Sequence, residues 1–124
     1  MLNIHLGHAC NFGCGYCLQN PEGADPRHPI EPFVEKIVSY VQAAGIRRVA
    51  YWGGEPLLYW KRIEAIHAAL RSAGVVLDFV KLITNGSLLT ERHVEILNNW
   101  RAFVVVSDHA EAGRPRWELV SRLK

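Results

Sequence analysis

The sequence predicts an α/β fold in which a parallel sheet is built from repeated βα units. Short apolar segments that are typical of strands alternate with amphipathic segments of roughly 10 to 15 residues that are typical of helices. Ala-Gly followed by Ile or Val recurs at 44–46 and 73–75, where two helical patterns end. We therefore expect βα units that form a parallel sheet with right-handed crossovers.

The first half of the chain supplies two predicted strands and one helix. Residues 2–8 alternate apolar and polar side chains, which indicates a strand. A loop rich in Gly and Pro follows over 10–30, and a helical period then begins at Pro32 and stops at Gly45. The apolar residues within 48–52 predict the second strand.

The second half repeats this rhythm. It is expected to contain a helix over 59–73, a strand within 75–84, a helix after Thr90, a strand over 102–107 and a short helix from Pro115. Gly74 suits the end of the first of these helices, and Thr90 is a favourable N-cap for the second. Since the chain has 124 residues and no linker-like stretch, we expect one domain over 1–124.

Composition and charge argue against several classes of protein. Hydrophobic residues make up 49% of the chain, which favours a folded domain over disorder. The formal net charge is +2 and the basic residues are scattered, so we expect no nucleic-acid partner. No apolar run is long enough to span a membrane and the N-terminus lacks signal-peptide features, so we expect no membrane partner and a cytoplasmic location.

Three cysteines lie close together at the start of the long loop. Cys10, Cys14 and Cys17 form a C-x3-C-x2-C arrangement, and their odd number argues against a disulfide framework. Their spacing lets three thiolates reach one metal centre, so we expect a cluster-binding loop over 9–20. A cubane iron–sulfur cluster usually takes four Cys, so three would leave one iron open to a small molecule. The alternative is a zinc site that adds one histidine from the set His5, His8 and His28.

Three further motifs follow predicted strands. Gly53-Gly54-Glu55-Pro56 comes after the second strand, Thr84-Asn85-Gly86 after the third and Ser107-Asp108-His109 after the fourth. Each can be ordinary turn chemistry, because Gly, Asn, Ser and Asp are common turn formers and an acid is favourable at a helix start. However, parallel α/β sheets and barrels bind ligands at the carboxyl ends of their strands, where all these motifs lie. A carboxylate such as Glu55 could there accept hydrogen bonds from an ammonium group.

In this order, the motifs resemble those of the radical S-adenosylmethionine (radical SAM) superfamily. The matching residues are Cys10-Asn11-x-x-Cys14-x-Tyr16-Cys17, Gly53-Gly54-Glu55-Pro56-Leu57-Leu58 and Thr84-Asn85-Gly86-x-Leu88-Leu89. The resemblance covers residues 2–108. It implies a [4Fe-4S] cluster held by the three cysteines, with S-adenosylmethionine bound to the fourth iron through its amino and carboxylate groups.

The resemblance also implies a reaction and a set of residue roles. A reduced cluster would pass one electron to S-adenosylmethionine and release a 5′-deoxyadenosyl radical that abstracts hydrogen from a substrate. Tyr16 would lie near the adenine, Gly53-Gly54-Glu55 would bind the methionine amino group, and Ser107 would lie near the ribose or carboxylate. Pro56 and Asn85 join the cofactor-binding residues through their motifs. Alternatively, Tyr16 is an ordinary exposed aromatic and Ser107 an ordinary turn residue.

The family core implied by the resemblance is a partial barrel of about six βα units. Since this sequence supplies about three and a half to four units, the resemblance implies a truncated partial TIM barrel. We expect a homodimer, a partner chain or the rest of a longer protein to complete the barrel. An external electron donor and a substrate, either a peptide or protein or a small molecule, are also implied, with peptide modification or glycyl-radical enzyme activation as candidate activities. Two other interpretations stay open: a non-catalytic half-barrel that binds the cluster and S-adenosylmethionine, and a zinc-binding interaction domain.

Overall fold

The computed structural model describes residues 1–17 and 31–124, which form a four-stranded parallel sheet in the order β1-β2-β3-β4 with helices between the strands. The elements are β1 (Leu2–His5), α1 (Glu31–Ala44), β2 (Arg48–Trp52), a 3₁₀ turn (Pro56–Tyr59), α2 (Trp60–Ser72), β3 (Phe79–Thr84), α3 (Glu91–Asn99), β4 (Phe103–Val106) and α4 (Trp117–Val120). The predicted α/β fold with a partial barrel is confirmed. Residues 18–20 of the predicted cluster-binding loop, and His28, lie outside the described residues.

The first strand is shorter than predicted. It was expected over 2–8 but ends at His5, because the chain turns at Gly7, whose φ is +151°. The Gly7 carbonyl then accepts a hydrogen bond from the Gly54 amide at 2.9 Å rather than continuing the ladder with β2. The chain therefore leaves the sheet early and passes beside the loop that follows β2.

Other element boundaries differ by a few residues. The helix expected over 59–73 starts as a 3₁₀ turn at Pro56 and becomes α-helical only at Trp60. The strand expected within 75–84 occupies Phe79–Thr84. The last helix begins at Trp117, two residues after Pro115, since the Arg116 amide donates instead to the Gly86 carbonyl.

Three helices end in the same left-handed turn. Gly45 and Gly74 have φ of +62° and +75°, and the amide of the next residue reaches back to the final helical turn, as in a Schellman motif. These two endings confirm the predicted stops. α3 ends with the same hydrogen bond, from Ala102 to Leu97, but the left-handed position is occupied by Arg101 with φ of +52°. A side chain with a β-carbon is strained there by about 1 kcal/mol.

The helices cover one face of the sheet. Side chains of alternate strand residues, including Val49, Tyr51, Val80 and Leu82, are buried in a hydrophobic core with residues of α2 such as Leu70. This helix-covered side is called the closed face below. It contains the hydrophobic core of the described residues, and burial of apolar surface is the dominant favourable contribution to folding.

The opposite side chains of the same strands form what we call the open face. It consists of Asn3, His5, Arg48, Ala50, Trp52, Phe79, Lys81, Ile83, Phe103 and Val105. Ala50 is buried at 1% exposure, but none of the other residues of this face belongs to the hydrophobic core of the described part of the chain. Trp52 and Phe103 are 39% and 56% exposed. In a complete barrel this face would line the interior.

None of the helices in the described residues has the length and apolar character needed to cross a membrane.

Candidate functional site

One cavity of about 280 Å³ lies at the carboxyl end of the sheet. Its wall combines the loop after β1 with residues at the ends of β2, β3 and β4. The lining residues are Cys10, Phe12, Cys14, Tyr16, Cys17, Trp52, Gly53, Gly54, Ile83, Thr84, Asn85, Ser107 and His109. The position agrees with the general rule that parallel sheets bind ligands at this edge.

All three cysteines face this cavity and none forms a disulfide. Cys10 and Cys14 are half-buried and Cys17 is exposed. Burial raises the pKa of the Cys10 thiol, although an amide hydrogen bond from Phe12 to Cys10 Sγ, at 3.4 Å, opposes that shift. In the described residues no group of three His, Cys, Asp or Glu side chains is close enough to hold a metal ion. The thiols thus share one cavity without converging on a point.

A polar network fastens the cysteine loop to the loop after β3. Asn85 Nδ2 donates to Asn11 Oδ1 at 3.0 Å, and Asn11 Nδ2 donates to Ser87 Oγ at 2.8 Å. The Ser87 hydroxyl and amide both donate to Asn85 Oδ1, at 2.7 and 3.0 Å. Asn85 therefore lines the cavity and also positions the segment that carries Cys10.

Aromatic contacts hold the other side of the same loop. The Phe12 ring packs edge-on against the His109 ring, with centroids 6.2 Å apart, and also fills the space where a side chain at Gly113 would lie. Tyr16 hydrogen bonds through its hydroxyl to His109 Nδ1 and lies against the same ring. His109, for which the sequence indicated no role, thus contacts two loop residues beside the cysteines.

Gly53 and Gly54 pass directly beneath the loop after β1. A β-carbon at Gly54 would lie 2.1 Å from the Ala9 carbonyl oxygen, and one at Gly53 would lie 2.6 Å from the Gly7 carbonyl oxygen. The Gly54 amide donates to the Gly7 carbonyl, and the Glu55 amide donates to the Ala9 carbonyl. The need for glycine at both positions is therefore explained by contact with the chain's own backbone, independently of any ligand.

Glu55 is fully buried and satisfied by donors of the protein itself. Its Oε1 accepts hydrogen bonds from the Thr84 hydroxyl at 2.5 Å and the Leu57 amide at 3.0 Å, and its Oε2 accepts one from the Asn85 amide at 2.8 Å. Burial raises the pKa of this carboxyl, while the three hydrogen bonds act in the opposite direction. The side chain thus joins the end of β2 to the end of β3.

The structure brings together most of the residues predicted from the sequence. Tyr16, Gly53, Gly54, Asn85 and Ser107 line the cavity with the three cysteines. Glu55 and Pro56 are buried behind its wall. Of the histidines weighed as zinc ligands, His5 and His8 lie against each other, with ring centroids 4.7 Å apart, and neither lines the cavity.

The sequence placed the Ser107-Asp108-His109 motif at this edge but gave His109 no role, and it did not identify Phe12 or Ile83 as cavity residues. The position of His109 was available because the motif follows the end of β4. Ile83 had none, since an apolar residue inside a strand looks the same whether it faces a core or a cavity.

A family model and individual proteins of known function are similar to this chain. The family model of the radical SAM superfamily matches residues 4–123. A GTP 3′,8-cyclase from Synechococcus elongatus is 32% identical over 98 residues, which are 77% of this chain and 29% of that protein. The radical SAM cyclopropyl synthase TigE from Paramaledivibacter caminithermalis is 23% identical over 123 residues, 86% of this chain and 26% of that protein.

A solved structure shows the same fold. Native anSMEcpe with bound AdoMet has a TM-score of 0.74 at 21% sequence identity, over 98% of this chain and 38% of that one. The chain spans less than a third of the length of the curated relatives named above. Because the family model covers nearly all of the sequence, the chain belongs to the radical SAM superfamily, whose members use a [4Fe-4S] cluster and S-adenosylmethionine.

Proposed function

We propose that this chain holds a [4Fe-4S] cluster through Cys10, Cys14 and Cys17 and binds S-adenosylmethionine in the adjoining cavity for radical chemistry. One observation carries the proposal: three free thiols and the ends of three parallel strands line the same cavity. The donor set fits the cluster, because thiolates are its usual protein ligands and three of them leave one iron available. Family membership favours this interpretation over a zinc site.

The cofactors would supply the reactive chemistry. When bound and reduced, the cluster provides one electron that splits S-adenosylmethionine into methionine and a 5′-deoxyadenosyl radical, which takes a hydrogen atom from a substrate. The protein's own contribution is to hold the loop and shape the cavity. The Asn11 network and the Phe12 and Tyr16 contacts with His109 fix the loop from two sides. Tyr16 offers an aromatic ring for the adenine, and Ser107 a hydroxyl for the ribose or carboxylate.

The substrate belongs to the same proposal. GTP 3′,8-cyclases and a cyclopropyl synthase are among the curated relatives. The first name supports hydrogen abstraction from a small molecule. A peptide or protein substrate and an external electron donor belong to the proposal through the motif resemblance alone. Glycyl-radical enzyme activation remains a further candidate activity.

Reconstitution tests the cluster assignment. We expect the chain, after anaerobic incubation with iron and sulfide, to turn brown and to produce 5′-deoxyadenosine from S-adenosylmethionine and a strong reductant. Cys14→Ala should lose the cluster and the product, while Lys61→Met, an exposed change on α2, should keep both. Full iron and sulfide in the Cys14→Ala protein would contradict the ligand assignment.

A second candidate function is a non-catalytic half-barrel that binds the cofactors without turnover. It is favoured by the open face, which leaves the substrate side of the sheet uncovered in the described part of the chain. A brown protein that binds S-adenosylmethionine but yields no 5′-deoxyadenosine would support this candidate. In that case a second copy, a partner chain or further βα units would be needed to complete the barrel.

Glu55 keeps its predicted role in this proposal as the receptor of the methionine amino group. In the described residues its Oε2 accepts one hydrogen bond, from the Asn85 amide, and a carboxylate oxygen can accept two. We expect Glu55→Gln to keep the cluster but to bind S-adenosylmethionine more weakly. The concentration of S-adenosylmethionine that gives half of the spectral change should rise about tenfold. An unchanged response would limit Glu55 to joining the strand ends.

A further inference from the structure

We propose that Lys81 binds an anionic group of the substrate, a carboxylate or a phosphate, on the open face. This inference rests on the proposed function, because it assumes that a substrate lies on that face below the cysteine cavity. The charge of the face is the first argument. Its strand residues include the cations Lys81 and Arg48 and no carboxylate. A surface that carries charge of one sign attracts a ligand of the opposite sign.

Lys81 differs from Arg47 and Arg48 because, in the described residues, its side chain has neither an ion-pair partner nor a cation–π contact. Arg47 pairs with Asp78 at 2.8 Å, and Arg48 lies over the Phe79 ring at 5.0 Å. In the part of the chain that the structure describes, the Lys81 ammonium forms neither an ion pair nor a hydrogen bond, although the residue is half-buried. Partial burial of an unpaired charge is unfavourable. An anion that binds Lys81 therefore gains more binding free energy than an anion that binds a fully hydrated lysine.

The neighbours of Lys81 leave room for such an anion. Ala50 is its register partner on β2 and Phe103 its partner on β4. Neither side chain has a group that competes for the ammonium. Phe79 and Phe103 lie on the same face as Lys81, and their rings pack 6.2 Å apart. They border the Lys81 position with apolar surface, and a less polar environment strengthens an ionic hydrogen bond.

The position also connects Lys81 with the cavity. Ile83 lines the cavity and lies two residues further along β3 on the same face. Two strand residues span about 6.6 Å. A substrate held by its anionic group at Lys81 would therefore extend along the strand toward the cysteines. The inferred substrate carries its negative charge on the end that is remote from the reacting carbon.

Amide NMR on the chain without cluster or S-adenosylmethionine tests the inference. Titrations with inorganic phosphate and with acetate should give saturable chemical-shift changes at the amides of Lys81, Ala50 and Phe103. The anion that binds more tightly indicates whether the substrate's anionic group is a phosphate or a carboxylate. We expect Lys81→Met to weaken binding about tenfold or more and Lys81→Arg to retain it. Lys61→Met, on the exposed side of α2, is the matched control and should change nothing.

Three outcomes would overturn the inference. They are unchanged binding in the Lys81→Met protein, equal shifts at basic residues over the whole surface, and a dimer closed through the open face that excludes both anions. If Lys81→Met disturbs the remaining amide spectrum, Lys81→Gln replaces it in the same comparison. Because the titration needs no cofactor, its result is independent of the reconstitution test of Cys14.

Discussion

The two faces of the sheet differ in what their side chains contact, although they belong to the same strands. On the closed face, Val49 and Leu82 are buried in the hydrophobic core. On the open face, Trp52 and Phe103 are exposed, and Lys81 has no charged partner in the described part of the chain. The comparison teaches that the closed face holds the hydrophobic core of this fold, while most of the open face is left uncovered by the other described residues.

The largest expected effect is a difference in the free energy of unfolding between substitutions on the two faces. Leu70→Ala on α2 should lower the free energy of unfolding by about 3 kcal/mol, because a buried leucine leaves a cavity. Phe103→Ala on the open face should cost less than about 1 kcal/mol, since the ring is 56% exposed. Urea unfolding of both variants measures the difference. Similar costs would show that the open face is covered in solution.

A second prediction concerns a polar group on the closed side. His67 stacks on Trp100 with ring centroids 3.7 Å apart, and its Nε2 is buried with no hydrogen-bond partner in the described residues. Burial lowers its pKa from 6.5 to about 4, so the unfolded chain binds a proton at His67 before the folded chain does. Stability should therefore fall by about 2 kcal/mol as the pH drops from about 6.5 to about 4.

The His67→Phe variant is the control for that pH dependence. It keeps an aromatic ring against Trp100 and removes the titrating group. The midpoint of thermal unfolding, followed between pH 7 and pH 4, should decline less steeply in the variant than in the original chain. Parallel declines would show that His67 is hydrated in solution and is not held neutral by burial.

The smallest expected effect lies at a helix end. Arg101 holds the left-handed position that Gly45 and Gly74 hold at the ends of α1 and α2. Arg101→Gly should raise the free energy of unfolding by about 0.5 kcal/mol, because relief of strain exceeds the added backbone entropy. Gly74→Ala should lower it by about 1 kcal/mol. Destabilisation by Arg101→Gly would mean that the arginine side chain itself makes a stabilising contact.

Local sequence signals predicted the strands and helix stops well. Gly45 and Gly74 mark real helix ends, and Thr90 caps α3 as expected, with its hydroxyl accepting from the His93 amide at 3.2 Å. These features depend on residues that are close together in sequence. The early end of β1 was missed, because it depends on a hydrogen bond between Gly7 and Gly54.

The candidate site was predictable in its members but not in its connections. The motifs correctly pointed to the cysteines, Gly53 and Asn85 as neighbours. The sequence could not show that Glu55 is surrounded by donors from Thr84 and Asn85, about thirty residues away. Periodicity carries no information on such long-range hydrogen bonds.

The hydrogen bonds of Asn11 join residues that are far apart in sequence, so they can form only late in synthesis of the chain. Asn11 is joined to residues 74 and 76 positions later, Asn85 and Ser87. At about 5 to 20 residues per second, the ribosome completes that interval roughly 4 to 15 seconds after the cysteines have been made. Until then the nascent chain carries three thiols on a loop that lacks this anchor.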